Sequence, residues 1–468
     1  MKIKSLCSCV VMLLLFYGCK KDKVAAVYPE GSNEQINTWI LDSLRKYYYW
    51  SDALPKTAVL AQAPPAFFNS IRNAADRFSW LYLPNDASTF AISSRALYGF
   101  DYAVFEEPAS KQVLCVIKSV LKGSPAERYG LKRGDYIRKI NGLEFSKDRI
   151  QALEKDLIKG RSTQLTIAKF QDGAFYEDRE LNMMAGLTPF AQPAIAQTLE
   201  SGGKHIGYIY IDDFAAGTVN GLLPIFTQFK NTGLQDLIID LRYNFGGEVS
   251  EAAALCAMIP TGITAQSPFI TYKGNKNGGI RNESISTAAT YTQLIDFKGL
   301  LQRNLGLSRV FVLTTLGTAS AAELVANNLK PYLQVKVIGE QTLGKDEASF
   351  LIDDQRKPKK VEWEMYPIIY KLFNASGQGG YQQGIPPDIR VNELNQLPLL
   401  PFGDVNDPLL KAALNQIGVV KSSASASVST ASKIALSGAA MVNEQGNVRV
   451  LSDSQQQKAA NSIVFTHR

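Results

Sequence analysis

Two short segments carry side chains whose types and spacing suit nucleophilic chemistry. In Leu316-Gly317-Thr318-Ala319-Ser320-Ala321-Ala322-Glu323, a glycine-containing turn follows the apolar run Val310 to Thr314 and puts Ser320 at the start of a helix. A hydroxyl there is exposed, and the first helical amides are free to hold a developing oxyanion. Ser320 and Glu323 also fit the S-x-x-E capping box, which has no catalytic meaning. The second segment is Val337-Ile338-Gly339-Glu340-Gln341-Thr342-Leu343-Gly344-Lys345. Gly339 to Lys345 matches the first seven positions of the phosphate-binding loop G-x-x-x-x-G-K-[ST]. Asp346 stands where the magnesium-binding hydroxyl belongs, and Ala348 to Ile352 reads as a strand rather than a helix. A nucleotide partner is therefore not expected.

The remaining chemistry is sparse. There are two histidines, His205 and His467, and no cluster of metal ligands, so no metal or cofactor is expected. Cys115 and Cys256 sit in apolar runs and read as core residues. A net charge of +7 with no long basic block gives no indication of a nucleic-acid partner.

The elements that must position Ser320 and Lys345 alternate between strand and helix. Ile206 to Ile211, Leu237 to Leu241, Val310 to Thr314 and Val335 to Ile338 read as strands. Val219 to Phe229, containing Pro224, an Ala-rich stretch after Gly247 and Ala321 to Leu329 read as helices. This is an α/β pattern with crossovers. Residues 265–305, rich in Gly, Asn, Ser and Thr, read as a long excursion from the sheet. Upstream, Ile36, Trp39, Ile40, Leu44 and Tyr47 recur at helical spacing, with Ser32 or Asn33 as cap.

Between these regions the strands Tyr98 to Phe105, Gln112 to Val120 and Asp135 to Ile140 flank Gly123-Ser124-Pro125-Ala126-Glu127-Arg128-Tyr129-Gly130-Leu131-Lys132-Arg133-Gly134-Asp135. Ser124 caps a helix with Pro125 in its first turn. Residues 95–185 closely resemble the PDZ family. That resemblance implies binding of an extended peptide C-terminus as an added strand, with Tyr98-Gly99-Phe100 as the carboxylate loop.

Taken together, the Ser320 and Lys345 segments, set 25 positions apart, resemble the carboxyl-terminal processing, or tail-specific, proteases. Ile239-Asp240-Leu241-Arg242-Tyr243-Asn244-Phe245-Gly246-Gly247 and Gly384-Ile385-Pro386-Pro387-Asp388 match two further motifs of that family. The resemblance implies a Ser–Lys dyad of Ser320 and Lys345, with an oxyanion hole from Ala321 and Gly246 or Gly247. An ordinary lysine is neutral in only about one molecule in 2,500 at pH 7, so the base must be buried to lower its pKa. Two positions depart from the family. Pro331 replaces an Asp, and Ser349 replaces a Gln that orients the lysine; Ser349 is expected to support Lys345 instead. Asp240, Arg242 and Glu323 read as scaffold. The substrates implied are proteins or peptides with free C-termini; a catalytically silent peptide-binding protein and an esterase-like hydrolase remain as alternatives.

The N-terminus adds an address. Lys2 and Lys4 precede the apolar run Val10 to Tyr17, which ends in Gly18-Cys19. The run is too short to span a bilayer and reads as a secretory signal. Its end resembles a lipobox, which implies lipidation of Cys19 and a place in the bacterial cell envelope, on the periplasmic side or at the outer membrane. The expected organisation is a mixed α/β multidomain chain: signal 1–18, linker 19–30, helical domain 31–92, PDZ domain 95–185, α/β peptidase core 186–418, and a low-complexity, disordered tail 419–468.

Overall fold

The computed structural model describes residues 28–90, 92–106, 111–171, 174–188, 195–291, 296–418 and 448–455. Cys19 and the signal segment lie outside the described residues.

The N-terminal domain is built on α1 (Asn33–Tyr47) and α2 (Pro64–Ile71). Ser32 caps α1 by accepting the Gln35 N–H, and Pro64 starts α2 where no N–H is needed. Ile40, Leu41, Leu44, Phe67 and Phe68 form its core, completed by Met365 from the distant peptidase region. The strand β1 (Trp80–Tyr82) pairs with residues 364–366, so this domain is anchored to the core by a two-stranded ribbon.

The short α3 (Ser94–Tyr98) leads into the PDZ domain. Its strands are β2 (Phe100–Glu106), β3 (Val113–Val120), β4 (Tyr136–Ile140), β5 (Leu143–Glu144), β6 (Ser162–Gln171) and β7 (Ala174–Met184). The helices α4 (Pro125–Arg128) and α5 (Ile150–Lys159) pack with them. Ser124 caps α4 as the sequence predicts. Tyr98, expected to open a strand, instead ends α3; Gly99, at φ +81°, makes the left-handed turn into β2.

The core comprises β8 (Ile195–Ser201), β9 (Lys204–Tyr210), α6 (Thr218–Thr232), β10 (Asp236–Asp240), α7 (Val249–Ala257), β11 (Pro268–Lys273), β12 (Ile280–Ser284), α8 (Ile285–Thr290) and α9 (Phe297–Leu301). It continues with β13 (Arg309–Thr314), α10 (Ala321–Asn328), β14 (Gln334–Gly339), β15 (Glu347–Ser349), β16 (Glu364–Tyr366), β17 (Ile368–Asn374), β18 (Ile389–Arg390) and α11 (Pro408–Ile417). The main sheet has the order β18-β14-β13-β10-β9-β8, parallel except at the β8 edge. Alternation along the strands assigns its two faces. Val310 and Val312 face α6, α7 and α10, whereas Phe311 and Leu313 face α11. The excursion at 265–305 holds β11 and β12, which join β17 and β15 in a second, four-stranded sheet.

One expectation needs correction. Composition predicts a disordered tail from residue 419, yet β19 (Arg449–Asp453) pairs antiparallel with β2 at the edge of the PDZ sheet. Val448, Val450 and Leu451 give this short piece an apolar content that the Ser- and Gln-rich surroundings mask. The rest of the tail lies outside the described residues.

Candidate active site

The loops that leave the carboxyl ends of β10, β13 and β14 converge, as expected for a site in an open α/β sheet. The loop after β10 is stitched to the loop after β13. Ala319 N–H donates to the Asn244 carbonyl at 2.9 Å, and Thr318 Oγ1 donates to the Leu241 carbonyl at 2.8 Å. The loop after β14 joins them through Leu343 N–H, which donates to the Thr318 carbonyl at 2.9 Å. The Gly384-Ile385 motif closes the far side, where Ile385 N–H donates to Thr342 Oγ1 at 2.7 Å.

Ser320 stands at the start of α10 with φ +56° and ψ −118°. Among the described residues four other serines cap helices: Ser32, Ser93, Ser124 and Ser284. All four have negative φ and extended ψ near 153–163°, and each accepts a hydrogen bond from the following helix. A left-handed φ at a non-glycine residue costs on the order of 1–3 kcal/mol and persists only where the surroundings impose it. The capping-box pattern is present at Ser320, but its backbone is not that of a cap.

Glu323 supplies what holds the strain. Its Oε2 accepts Ser320 N–H at 2.8 Å and Lys345 N–H at 2.7 Å, and its Oε1 accepts Gly344 N–H at 2.7 Å and the Thr342 hydroxyl. Two donors on one oxygen hold the Ser320 and Lys345 nitrogens within about 5.5 Å of each other. Burial pushes the Glu323 carboxyl up to about 7, against the pull of its four donors. The sequence reading treated Glu323 as scaffold; the structure makes it the clamp between the two candidate catalytic residues. It also gives the Gly344 and Lys345 amides a carboxylate as partner, where a phosphate-binding loop would leave them open.

Lys345 is buried at 6% exposure. Burial lowers its pKa from the ordinary lysine value, and the charges of Glu347, Glu323 and Asp76 oppose that effect. Of these carboxylates, Glu347 is itself paired with Lys371, which also reaches Asp346 at 2.9 Å. One wall of the pocket comes from the N-terminal domain. The Phe78 ring centroid lies 5.3 Å from Lys345 Nζ. Asp76 is fixed by the Tyr48 hydroxyl (2.7 Å) and the Ser79 N–H (2.8 Å). Arg77 reaches the Gln382 and Leu343 carbonyls at 3.0 and 3.3 Å. Asp76 and Phe78 had no signal in the sequence, because both act across hundreds of residues.

Gly246 lies against the nucleophile candidate. A Cβ built there would stand 2.7 Å from Ser320 Cβ and 2.8 Å from Ala321 N, at φ +102°. Its own N–H donates to Asn244 Oδ1 at 2.8 Å, so it is committed. No hydrogen bond from the Gly247 N–H is found among the described residues, and Gly247 forms a parallel bridge with Phe214. No hydrogen bond among the described residues joins Ser349 to Lys345, and Pro331 lies in the turn after α10. In the PDZ domain the Gly99 N–H is donated to the Ser94 and Arg95 carbonyls, and Tyr98 and Phe100 are fully buried. Tyr98-Gly99-Phe100 thus presents no Gly99 amide for a carboxylate in this arrangement.

Beneath the site Arg242, fully buried, bonds to Asp240, Glu393 and Asp407. Arg133 of the PDZ domain joins the same network through Glu393 and the Tyr243 hydroxyl, both at 2.8 Å. Asp240 and Arg242 are paired scaffold, as their place on a buried strand suggested.

Residues 205–391 match peptidase family S41, residues 35–80 the peptidase S41 N-terminal domain, and residues 116–169 a PDZ domain. The chain is 25% identical over 326 residues to a protein of Staphylococcus aureus named "Probable CtpA-like serine protease", covering 67% of this chain and 59% of that one. It is 25% identical over 295 residues to the carboxy-terminal processing protease CtpB of Bacillus subtilis, covering 63% and 56%. It thus spans less than two thirds of these relatives' own length. A crystal structure from Bacteroides fragilis NCTC 9343, of a protein assigned to the S41 proteases, superposes with a TM-score of 0.67 at 27% identity. That match covers 85% of this chain and all of the other. With the N-terminal, PDZ and peptidase matches in one order along the sequence, the chain belongs to peptidase family S41.

Proposed function

We propose that this chain is an exported serine endopeptidase that cleaves proteins near their C-termini, with Ser320 as nucleophile and Lys345 as general base. The observation that carries the reading is the shared Glu323 oxygen, which fixes a strained serine beside a buried lysine of lowered pKa. Neutral Lys345 takes the Ser320 proton as the hydroxyl oxygen attacks the substrate carbonyl. The resulting oxyanion sits on the Ala321 and Gly247 amides, at the positive end of α10. Lys345 then returns the proton to the leaving amine, and water repeats the sequence on the acyl-enzyme. The PDZ domain would hold the substrate as an added strand. The Gly18-Cys19 end of the apolar leader supports lipid anchoring of the mature chain in the cell envelope.

The test is cleavage of an unfolded protein with an apolar C-terminus by the form lacking residues 1–19, beside its Ser320→Ala and Lys345→Ala variants. Cleavage lost in both variants is expected. No cleavage by the parent, with peptide still bound, would assign the chain to silent binding; turnover of small esters alone would make it an esterase.

A further inference from the structure

The groove that the PDZ reading reserves for substrate is filled by the chain itself. We propose that residues 448–455 are an intramolecular ligand of the PDZ domain, which substrate tails must displace. The inference rests on the PDZ-recognition part of the proposed function.

Without β19, β2 would be a bare sheet edge, the template on which an extended peptide adds. β19 occupies that edge in antiparallel register, with Arg449 opposite Glu106, Val450 opposite Phe105, Ser452 opposite Val104 and Asp453 opposite Ala103. Its direction is that of a peptide whose C-terminal end points to the Gly99 turn. The strand also touches the helix beside the edge. Ser452 Oγ donates to Glu154 Oε1 of α5 at 2.6 Å, and Leu451 packs on the PDZ core. On the other face Val448 and Val450 pack with Phe105 and Leu397.

The end of the segment is pinned between the two domains. Ser454 Oγ accepts Tyr102 N–H at 2.9 Å, and Lys118 Nζ reaches Asp453 at 2.7 Å and Gln455 at 3.0 Å. Gln455 is 1% exposed, and its Oε1 fills the space a side chain at Gly317 would need. Gly317 lies three residues before Ser320, so the self-ligand reaches the turn that carries the nucleophile. Anything that displaces the segment also removes Gln455 from that turn.

A tethered ligand acts at an effective concentration on the order of 1 mM. If its own dissociation constant is about 0.1 mM, a free peptide binds about tenfold more weakly than it would to the open groove. The experiment compares the full chain, a chain ending at residue 447, and a full-length Leu451→Asp variant that drives the strand out while leaving it attached. Two fluorescent probes are titrated: a peptide copying residues 446–457 and an unrelated peptide with an apolar C-terminus. Thermal unfolding confirms that the proteins are folded. Binding of the copy peptide about tenfold tighter to both altered chains than to the full chain supports the proposal. Equal binding to all three, or no binding to a folded truncated chain, overturns it. If the copy peptide binds the opened groove and the apolar peptide does not, the self-ligand stands and the recognition of substrate tails falls.

Discussion

Replacing Glu323 with Gln separates positioning from stability. The change keeps shape but puts an NH2 where one carboxylate oxygen stood. In the cheaper orientation the remaining oxygen serves Ser320 and Lys345, and the NH2 turns to the Thr342 hydroxyl, which can accept. Gly344 N–H then loses its partner, and the bonds to Ser320 and Lys345 fall from charge-assisted to neutral. That loss sums to about 2–5 kcal/mol. Against it stands relief from burying a charge, also several kcal/mol in a dry site. The two nearly cancel, so the urea midpoint should shift little while the slackened clamp lowers kcat by about 10- to 100-fold.

The pH dependence gives the sign. As the proposed base, Lys345 would act only when neutral, so activity should rise with pH through its lowered pKa. Glu323 raises that pKa, so the Gln variant's ascending limb should move to lower pH even as its plateau falls. Glu323 itself is raised to about 7, above its ordinary 4.5, so in the wild type its ionisation costs stability as pH climbs through that window. Since the ionised wild type and the Gln variant are nearly matched above pH 7, the wild type should become the more stable of the two as pH falls from about 7 toward 4.5. Peptide cleavage measured from pH 5 to 10, with urea unfolding alongside, tests this. A kcat within threefold of wild type, or a limb displaced toward alkaline pH, would refute the clamp.

Phe78→Leu opens the wall beside Lys345. Water entering there should return the lysine pKa toward its ordinary value, and each unit costs about tenfold in the neutral fraction at pH 7. The ascending limb should move to higher pH; a move to lower pH would show that the ring's attraction for the ammonium outweighs its drying effect. Gly246→Ala places a methyl 2.7 Å from Ser320 Cβ at a left-handed φ. It should cut kcat by more than about 10²-fold through the nucleophile and the neighbouring oxyanion amides. A normally active, folded Gly246→Ala protein would mean that the loop after β10 is not part of the site.

The alternation of Val310 to Thr314 and the glycine turn after it were enough to place a serine at a helix start over a parallel sheet. Gly344-Lys345 was legible as a loop, and the Asp at 346 and the following strand set it apart from a nucleotide site. Glu323 was visible only as half of a capping box, because S-x-x-E spacing reports a local contact and its other three donors lie about twenty residues on. Asp76 and Phe78 gave no sign at all: their role depends on how the N-terminal domain docks, which no local pattern encodes. The tail misled for a different reason. Composition averaged over residues 419–468 is polar, but a strand on an existing sheet edge needs only a few apolar positions, and Val448, Val450 and Leu451 suffice.

The dry wall of the lysine pocket is made near the start of the chain, and the strand in the PDZ groove is its last described piece. Damage at the two ends should therefore have opposite consequences. A chain nicked ahead of Trp80 would keep its nucleophile but wet its base, and would fall silent. One clipped in the tail would keep a complete dyad and lose only its guard, becoming less discriminating in what it admits. Proteolytic wear would thus disable the protein from one end and unleash it from the other, and a C-terminal affinity tag is a mild version of the second injury.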